Sequence, residues 1–465
     1  MTDSTHSTRK TDLKRLEERA AGPVHRPGSG GYDRACTGYQ LLEPHRPRAV
    51  VEAAGAADVQ AAVRAAGEAG VPVAVQATGH GRAAALEGGV LVGTRGMDGV
   101  EVDAGAATAR VGAGATWRQV VEAAAPHGLA PLSGSMPGVG AVSYTLGGGV
   151  GLLARRYGFA ADRVRRVEAV TADGRLRTAD AGREQELFWA LRGGGGSFGV
   201  VTALEIDLVP VGRVFGGGLY FDLAERPDAV AAWARWTGAV PEATTSAVTL
   251  LMLPDAAGVP ERLRGRHVAQ VQICHAGPVG QGRRLARELV ALAGDPVRST
   301  LRELDFSESG AIFDEPEVPH GYRSQNLLLE SLGEGAVEEL VRRAGPEAPL
   351  MCVAGLRHLG GALAREPEGA GAVGRRGAAY LVSVLSPVEP GGEGAAGGLH
   401  RRVLAPFAGQ GVGRSLNFSF GPTAPEDVAS CFVPAVYRRL RQVKAAYDPE
   451  DRIRANHPIP PAPRR

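Results

Sequence analysis

Apolar positions in the first part of the chain fall into short runs that alternate between strand and helix periodicity. Ala49-Val50-Val51-Glu52-Ala53 predicts a strand, and Asp58 is an expected N-cap for a helix over Val59–Glu68. Val71–Val75 predicts a second buried strand, closed by Thr78-Gly79-His80-Gly81. Further strands are expected at Gly89–Val92 and Ala107–Gly112, and a helix at Thr116–Pro126. Asp173-Gly174 separates Val164–Thr171 from Arg175–Thr178, a hairpin signal. Glu186–Arg192 has helical spacing, and a glycine run then leads into a strand over Gly199–Val209.

Pro210-Val211-Gly212 marks a change of pattern. From about residue 212 to 412, helical segments such as Asp228–Thr237 and Gly280–Leu292 alternate with strand-like Val268–Cys274, Met351–Leu356 and Ala378–Leu385. One antiparallel sheet covered by helices on one face accounts for that order. Gly391–Gly398 is expected to be a flexible loop, and Pro425–Lys444 to carry a helix. Prolines keep the tail Asn456-His457-Pro458-Ile459-Pro460 out of a helix. Residues 1–38 are expected to form a loose leader with a short amphipathic helix around Asp12–Ala20.

Composition narrows the class. Lys and Arg total 52 against 50 Asp and Glu, so no electrostatic footprint for nucleic acid or an anionic membrane arises. Met1–Arg9 is polar and shows no signal peptide, no apolar run is long enough to span a membrane, and the compartment expected is the cytoplasm. Cys36, Cys274, Cys352 and Cys431 are too scattered for a disulfide framework or a metal site. With 66 glycines in the chain, any single glycine-rich match carries little weight.

Gly194-Gly195-Gly196-Ser197-Phe198-Gly199 fits G-x-G-x-x-G, yet a dinucleotide fingerprint needs strand, loop, then helix. The order here is helix, loop, strand. Gly112-Ala-Gly114 precedes a helix, but Trp117 stands where the third glycine belongs. A Rossmann site is therefore excluded. Glycine runs at Thr78–Gly81, Gly138–Gly151 and Gly193–Gly199 can still expose backbone N–H groups to an anion and admit a flat ligand.

The same stretches carry a resemblance. Val75–Gly81 (VQATGHG), Leu132–Gly151 (LSGSMPGVGAVSYTLGGGVG) with Tyr157-Gly158 and Asp162, Glu186–Thr202 (ELFWALRGGGGSFGVVT), and Leu440–Pro449 with Asn456–Ile459 occur in the order found in FAD-linked oxidases. The chain resembles the berberine bridge enzyme-like members of the vanillyl-alcohol oxidase and p-cresol methylhydroxylase superfamily. The resemblance implies an α+β fold: an FAD-binding domain of two α/β subdomains, from residues 39–210 and 415–465, with a substrate domain inserted at 211–414. It implies FAD bonded covalently through His80, in a cradle built from Thr78, Gly79 and Gly81 of the first loop and Ser135, Gly140, Tyr144, Thr145, Gly148, Gly149 and Gly151 of the second. Gly199, Val200 and Val201 of the third loop and Asn456 of the tail complete that set. Many relatives add a cysteinyl link; its position here is Met136, which cannot supply a thiolate, so one link is expected.

The implied reaction is a two-electron oxidation of a small molecule, an alcohol, sugar or secondary-metabolite intermediate, with O2 as acceptor and H2O2 released. The Ala- and Arg-rich composition fits a high-GC bacterial source. A family tyrosine that often acts as base falls at Ser415, two residues before Asn417, and a lone serine is a poor base. Tyr144 and Tyr322 are the expected replacements, with Arg357, His358 and Tyr380 as further candidates. The departure at Ser415 keeps two alternatives open, a dehydrogenase using another acceptor and a cyclase or binding protein with redox-silent FAD.

Overall fold

A computed structural model of the chain describes residues 13 and 15–463. The start of the expected leader helix and the polar Met1–Arg9 segment lie outside them. Three sheets organise the described residues. The first has the order Val24–His25, Arg46–Glu52, Glu87–Gly93, Val73–Gln76, Ile453–Arg454, and only its first pair is antiparallel. The C-terminal strand thus pairs with the strand that leads into Thr78–Gly81.

Helix Ala56–Ala69 covers this sheet with buried Val59, Ala62, Val63 and Ala66. It starts earlier than expected, from Gly55, and Asp58 is not its N-cap. The Asp58 carboxylate is buried and accepts the backbone N–H groups of Ala21, Gly22 and Ala54. Those bonds correct the loose-leader expectation as well. Leu16 is fully buried, Val24–His25 joins the sheet, and helix Tyr32–Cys36 buries Tyr32 and Cys36. A polar-rich segment reads as loose when its few apolar residues are judged without the sheet they cover.

The second sheet is antiparallel, in the order Val100–Asp103, Thr108–Gly112, Val200–Asp207, Val164–Val170, Leu176–Asp180. Helix Trp117–Ala124 packs beside it and starts on a Thr116/Gln119 capping box, which satisfies two otherwise orphaned N–H groups. Helix Gln185–Leu191 precedes strand Val200–Asp207, so the glycine run does join helix to strand.

The third sheet has nine antiparallel strands within residues 213–413. Helices Ala229–Thr237, Val279–Ala293, Glu334–Arg343 and Glu393–Leu404 cover one face through Val248, Leu250, Val271, Ile273, Leu356 and Val382. Helix Glu393–Leu404 replaces the expected flexible loop at Gly391–Gly398. Its three internal glycines each cost about 1 kcal/mol relative to alanine. Burial of Ala396, Leu399, His400, Val403 and Leu404 along one stripe outweighs that local preference. Side chains alternate across a strand, so register places Gln270, Gln272, Thr249, Arg357, Ser383 and Asn326 on the opposite face. This polar face looks toward the glycine-rich loops, because Arg357 and Asn326 bond to groups from them and from the segment after residue 413.

Candidate active site

His80 sits in a loop held from several sides. Its Nδ1 lies 2.8 Å from Thr78 Oγ1, and the Tyr39 ring stacks on the imidazole with centroids 3.8 Å apart. The Tyr322 hydroxyl accepts the Gly81 N–H at 2.7 Å. Asn456 donates to the Gly81 carbonyl at 2.7 Å and accepts the Ala83 N–H at 2.5 Å. Behind the loop, buried Arg82 donates to Gln76 Oε1 and to the carbonyls of Gln40 and Leu42. Residues from the N-terminal segment, the third sheet and the C-terminal tail thereby fix one turn. Burial holds the His80 pKa down at about 4, aided by His320 and Arg95, so the imidazole is neutral near pH 7. Its Nε2 is buried and has no hydrogen-bond partner. An orphaned nitrogen on a locked, neutral ring is available as a nucleophile or a hydrogen-bonding group.

The second loop folds back upon itself. A Cβ at Gly151 would meet the Ser133 carbonyl at 1.8 Å, and one at Gly149 would meet the Tyr144 ring at 2.5 Å. These two glycines serve the protein's own packing. Gly138 is different: the nearest atom to its Cβ position is His80 Cε1 at 3.8 Å, so its open side adjoins the His80 ring. Asn417 fastens this loop from the C-terminal side, donating to the Tyr144 carbonyl at 2.9 Å and accepting the Gly149 N–H at 3.4 Å. Ser135 Oγ donates to Glu315 at 2.9 Å and receives Arg357 Nη2 at 3.4 Å.

A locked histidine, a glycine loop pinned by Asn417 and a polar sheet face meet where three chain segments converge. The FAD binding domain family matches residues 47–180, which span the first two of these loops. Over 95% of this chain and 97% of the relative, the sequence is 29% identical to (R)-6-hydroxynicotine oxidase of Paenarthrobacter nicotinovorans. The chain is an FAD-linked oxidoreductase. Solved structures share its fold. The berberine bridge enzyme-like 1 protein of Physcomitrella patens superposes with a TM-score of 0.83 at 19% identity, covering 97% of this chain and 100% of that one. Glucooligosaccharide oxidase of Acremonium strictum, which carries a 6-S-cysteinyl, 8α-N1-histidyl FAD, gives 0.84 at 18% identity over 98% and 100%.

FAD is the cofactor of this oxidoreductase. Its fit rests on the orphaned His80 nitrogen and the open side of Gly138 next to it. Of the residues expected to form the cradle, Thr78, Gly79, His80, Gly81 and Asn456 lie in one hydrogen-bonded unit. Gly140 bridges to Thr116, and Gly148 turns with a positive φ of 108°. Thr145 differs from expectation: its hydroxyl is buried and donates to Ala141 one turn back. Val200 and Val201 bury their side chains in the core, which leaves them only backbone atoms to offer.

The tyrosines expected to act as base are corrected by their surroundings. Tyr144 Oη is sealed, without a partner, close to Gly151, and burial pushes its pKa up. Raised in this way, the phenol keeps its proton at neutral pH. Burial also raises Tyr322, to about 12, so this phenol is protonated at neutral pH and braces the Gly81 turn. His358 and Tyr380 face the helices: His358 contacts Arg155, and the Tyr380 hydroxyl contacts Thr237 Oγ1 at 2.6 Å. Arg357 alone among the further candidates stands on the polar face. Tyr39, Phe313, Glu315 and Phe418 were missed, since nothing in their local sequence ties them to the loops they meet in space.

Proposed function

We propose that this oxidoreductase is an oxidase that takes two electrons from a small molecule, passes them to O2 and releases H2O2. The substrate is an alcohol, a sugar or a secondary-metabolite intermediate, and the setting is the cytoplasm of a bacterium with a high-GC genome. FAD is bonded through a ring nitrogen of His80 and has no second link, because Met136 stands where a cysteine would supply it. The observation that carries this reading is the His80 imidazole: neutral, stacked on Tyr39, held by Thr78, and left with one buried nitrogen unpaired.

When bound, FAD supplies the two-electron acceptor. The chain's residues orient and enclose. Thr78, Tyr39, Tyr322 and Asn456 fix the turn that carries His80, and Asn417 fixes the loop opposite. The polar face of the third sheet closes over them and supplies neutral donors and acceptors around the Arg357 guanidinium. Tyr322, protonated at neutral pH, contributes a hydroxyl whose oxygen already accepts Gly81 N–H. It acts as a brace and donor, not as a base.

Acid precipitation tests the attachment. Wild-type protein should carry its yellow colour into the pellet, His80→Ala should release it to the supernatant, and Met136→Ala should retain it. A colourless wild-type pellet defeats the covalent claim. Peroxide release with alcohols, sugars and aromatic polyketides, set against reduction of an artificial acceptor under nitrogen, separates oxidase from dehydrogenase.

A further inference from the structure

The strand Val353–His358 places Arg357 on the polar face of the third sheet, paired in register with Ala247 and Leu381. The guanidinium is deeply enclosed, and burial depresses its pKa, yet its side chain keeps 19% of its surface. Phe313 and Phe418 lie over the guanidinium with ring centroids 4.8 and 4.9 Å from Cζ. With aromatic rings engaging the guanidinium, its N–H edge is what remains for a ligand.

That edge is poorly used. The one hydrogen bond is Nη2 to Ser135 Oγ at a long 3.4 Å, and the nearest carboxylate, Glu315, stands 4.0 Å away. Glu315 is itself held by the Ser135 hydroxyl at 2.9 Å. Enclosed guanidinium groups are normally paired with a carboxylate at hydrogen-bond distance, commonly through two parallel bonds. Here the partner stops short. Ser135 immediately precedes Met136 in the second flavin loop, and Phe418 follows Asn417, which pins that loop. The free edge is therefore next to the flavin site.

A cavity of about 300 Å³ reaches Ser135 and Glu315 from outside, between the second loop and residues 307–317. Several carboxylates border it. Glu317 is paired with Arg118 and Glu308 with Arg302, Glu315 faces Arg357 only at 4.0 Å, and Glu122 and Asp314 have no such partner among the described residues. Arg357 reaches both Ser135 and Glu315 of this region, at 3.4 and 4.0 Å.

We propose that the substrate carries a planar, delocalised oxyanion, a carboxylate, on a conjugated or aromatic body. Arg357 anchors the oxyanion in plane through two N–H groups, and Glu315 is the internal carboxylate that yields the position. The body lies along Phe313 and Phe418. This deepens the oxidase reading and rests on it only for the flavin's neighbourhood.

Calorimetric titration of the flavin-loaded protein with benzoate and its neutral isostere benzamide tests the assignment. Wild type should bind benzoate about tenfold more tightly than benzamide, as a bidentate charged bond outweighs neutral ones. Arg357→Gln should abolish that preference, and Arg357→Lys, which keeps charge but loses the planar fork, should restore part of it. Glu315→Gln should increase the preference by removing the competing carboxylate. Equal binding of the two probes by wild type, no benzoate binding at all, or a preference that survives in Arg357→Gln overturns the proposal. A preference for benzoate that weakens in Glu315→Gln also does so, since it would make Glu315 a mere support for Arg357. Flavin retained in the acid pellet is recorded for each variant, so failure of the cofactor reading is seen separately from failure of anion recognition.

Discussion

The imidazole of His80 is positioned by two weak contacts of different kinds. Thr78 Oγ1 holds the Nδ1 edge at 2.8 Å, and Tyr39 sets the plane of the ring. Tyr39 is itself fixed by its hydroxyl, which donates to the Pro316 carbonyl at 2.7 Å. Tyr39→Ala removes the stacking surface, so the histidine can leave the plane that the proposed attachment to FAD requires. The expected outcome is a smaller fraction of flavin retained in the acid pellet and a stability loss of about 0.5–1.5 kcal/mol. Tyr39→Phe keeps the ring and should keep the flavin. Unchanged retention in Tyr39→Ala would show that Thr78 alone aims the ring. This pair also shows how far the site could be read from the chain. Thr78 and His80 lie in one short motif, so their association is local and legible. Tyr39 and Tyr322 reach the same turn from distant segments, and only the folded topology brings them there.

At the level of elements, helix Pro434–Tyr447 and the following strand Ile453–Arg454 close the flavin-binding half of the molecule. Lys444 is their fastening. It is fully buried and donates to Asp448 Oδ2 at 2.5 Å and to the carbonyls of Ser197 and Ile453 at 2.9 and 3.1 Å. Asp448 in turn accepts the N–H groups of Arg452 and Ile453. Three segments thus meet at one buried lysine, which Asp451 Oδ1 also approaches, at 3.0 Å. Lys444→Met strands the Asp448 carboxylate and should cost about 3–5 kcal/mol, read from denaturant unfolding. The double variant Lys444→Met/Asp448→Asn removes the two fully buried charges, leaves the part-exposed Asp451 to Arg454, and should recover part of that loss. Full additivity of the two single effects would deny the coupling. The helix and the Tyr447-Asp448-Pro449 ending are legible in the chain, because helical spacing and proline are local signals. That a lysine within that helix is a core residue depends on distant segments and leaves no local signal. Gly391–Gly398 failed in the opposite direction, where glycine propensity spoke for a loop and long-range burial made a helix.

Across the whole molecule, acid should act first through histidines. His45, His80, His400 and His457 are held at about 4 and His358 at about 3, in each case chiefly by burial, against an ordinary value near 6.5. They lie in all parts of the fold, from the first loop to the helices on the third sheet. Between the folded and unfolded values the unfolded chain binds more protons, so stability must fall as pH drops. The contribution of these neutral rings is complete above about pH 6.5 and is lost as pH falls through about 4. Carboxylates with lowered pKa, such as Glu184 beside Tyr447 and Arg177, respond only lower, below the ordinary carboxylate value of 4.5. The melting temperature should therefore be level above pH 6.5 and decline from there toward pH 4, before acidic pairs begin to open. His400 gives the control, since it touches Ser386 Oγ at 3.0 Å on the helix-covered face, away from the flavin loops. His400→Gln should lower stability at pH 7 and make the decline between pH 6.5 and 4 shallower. A decline that starts only below pH 4.5, or one unaltered in slope by His400→Gln, would assign the acid response to carboxylates instead.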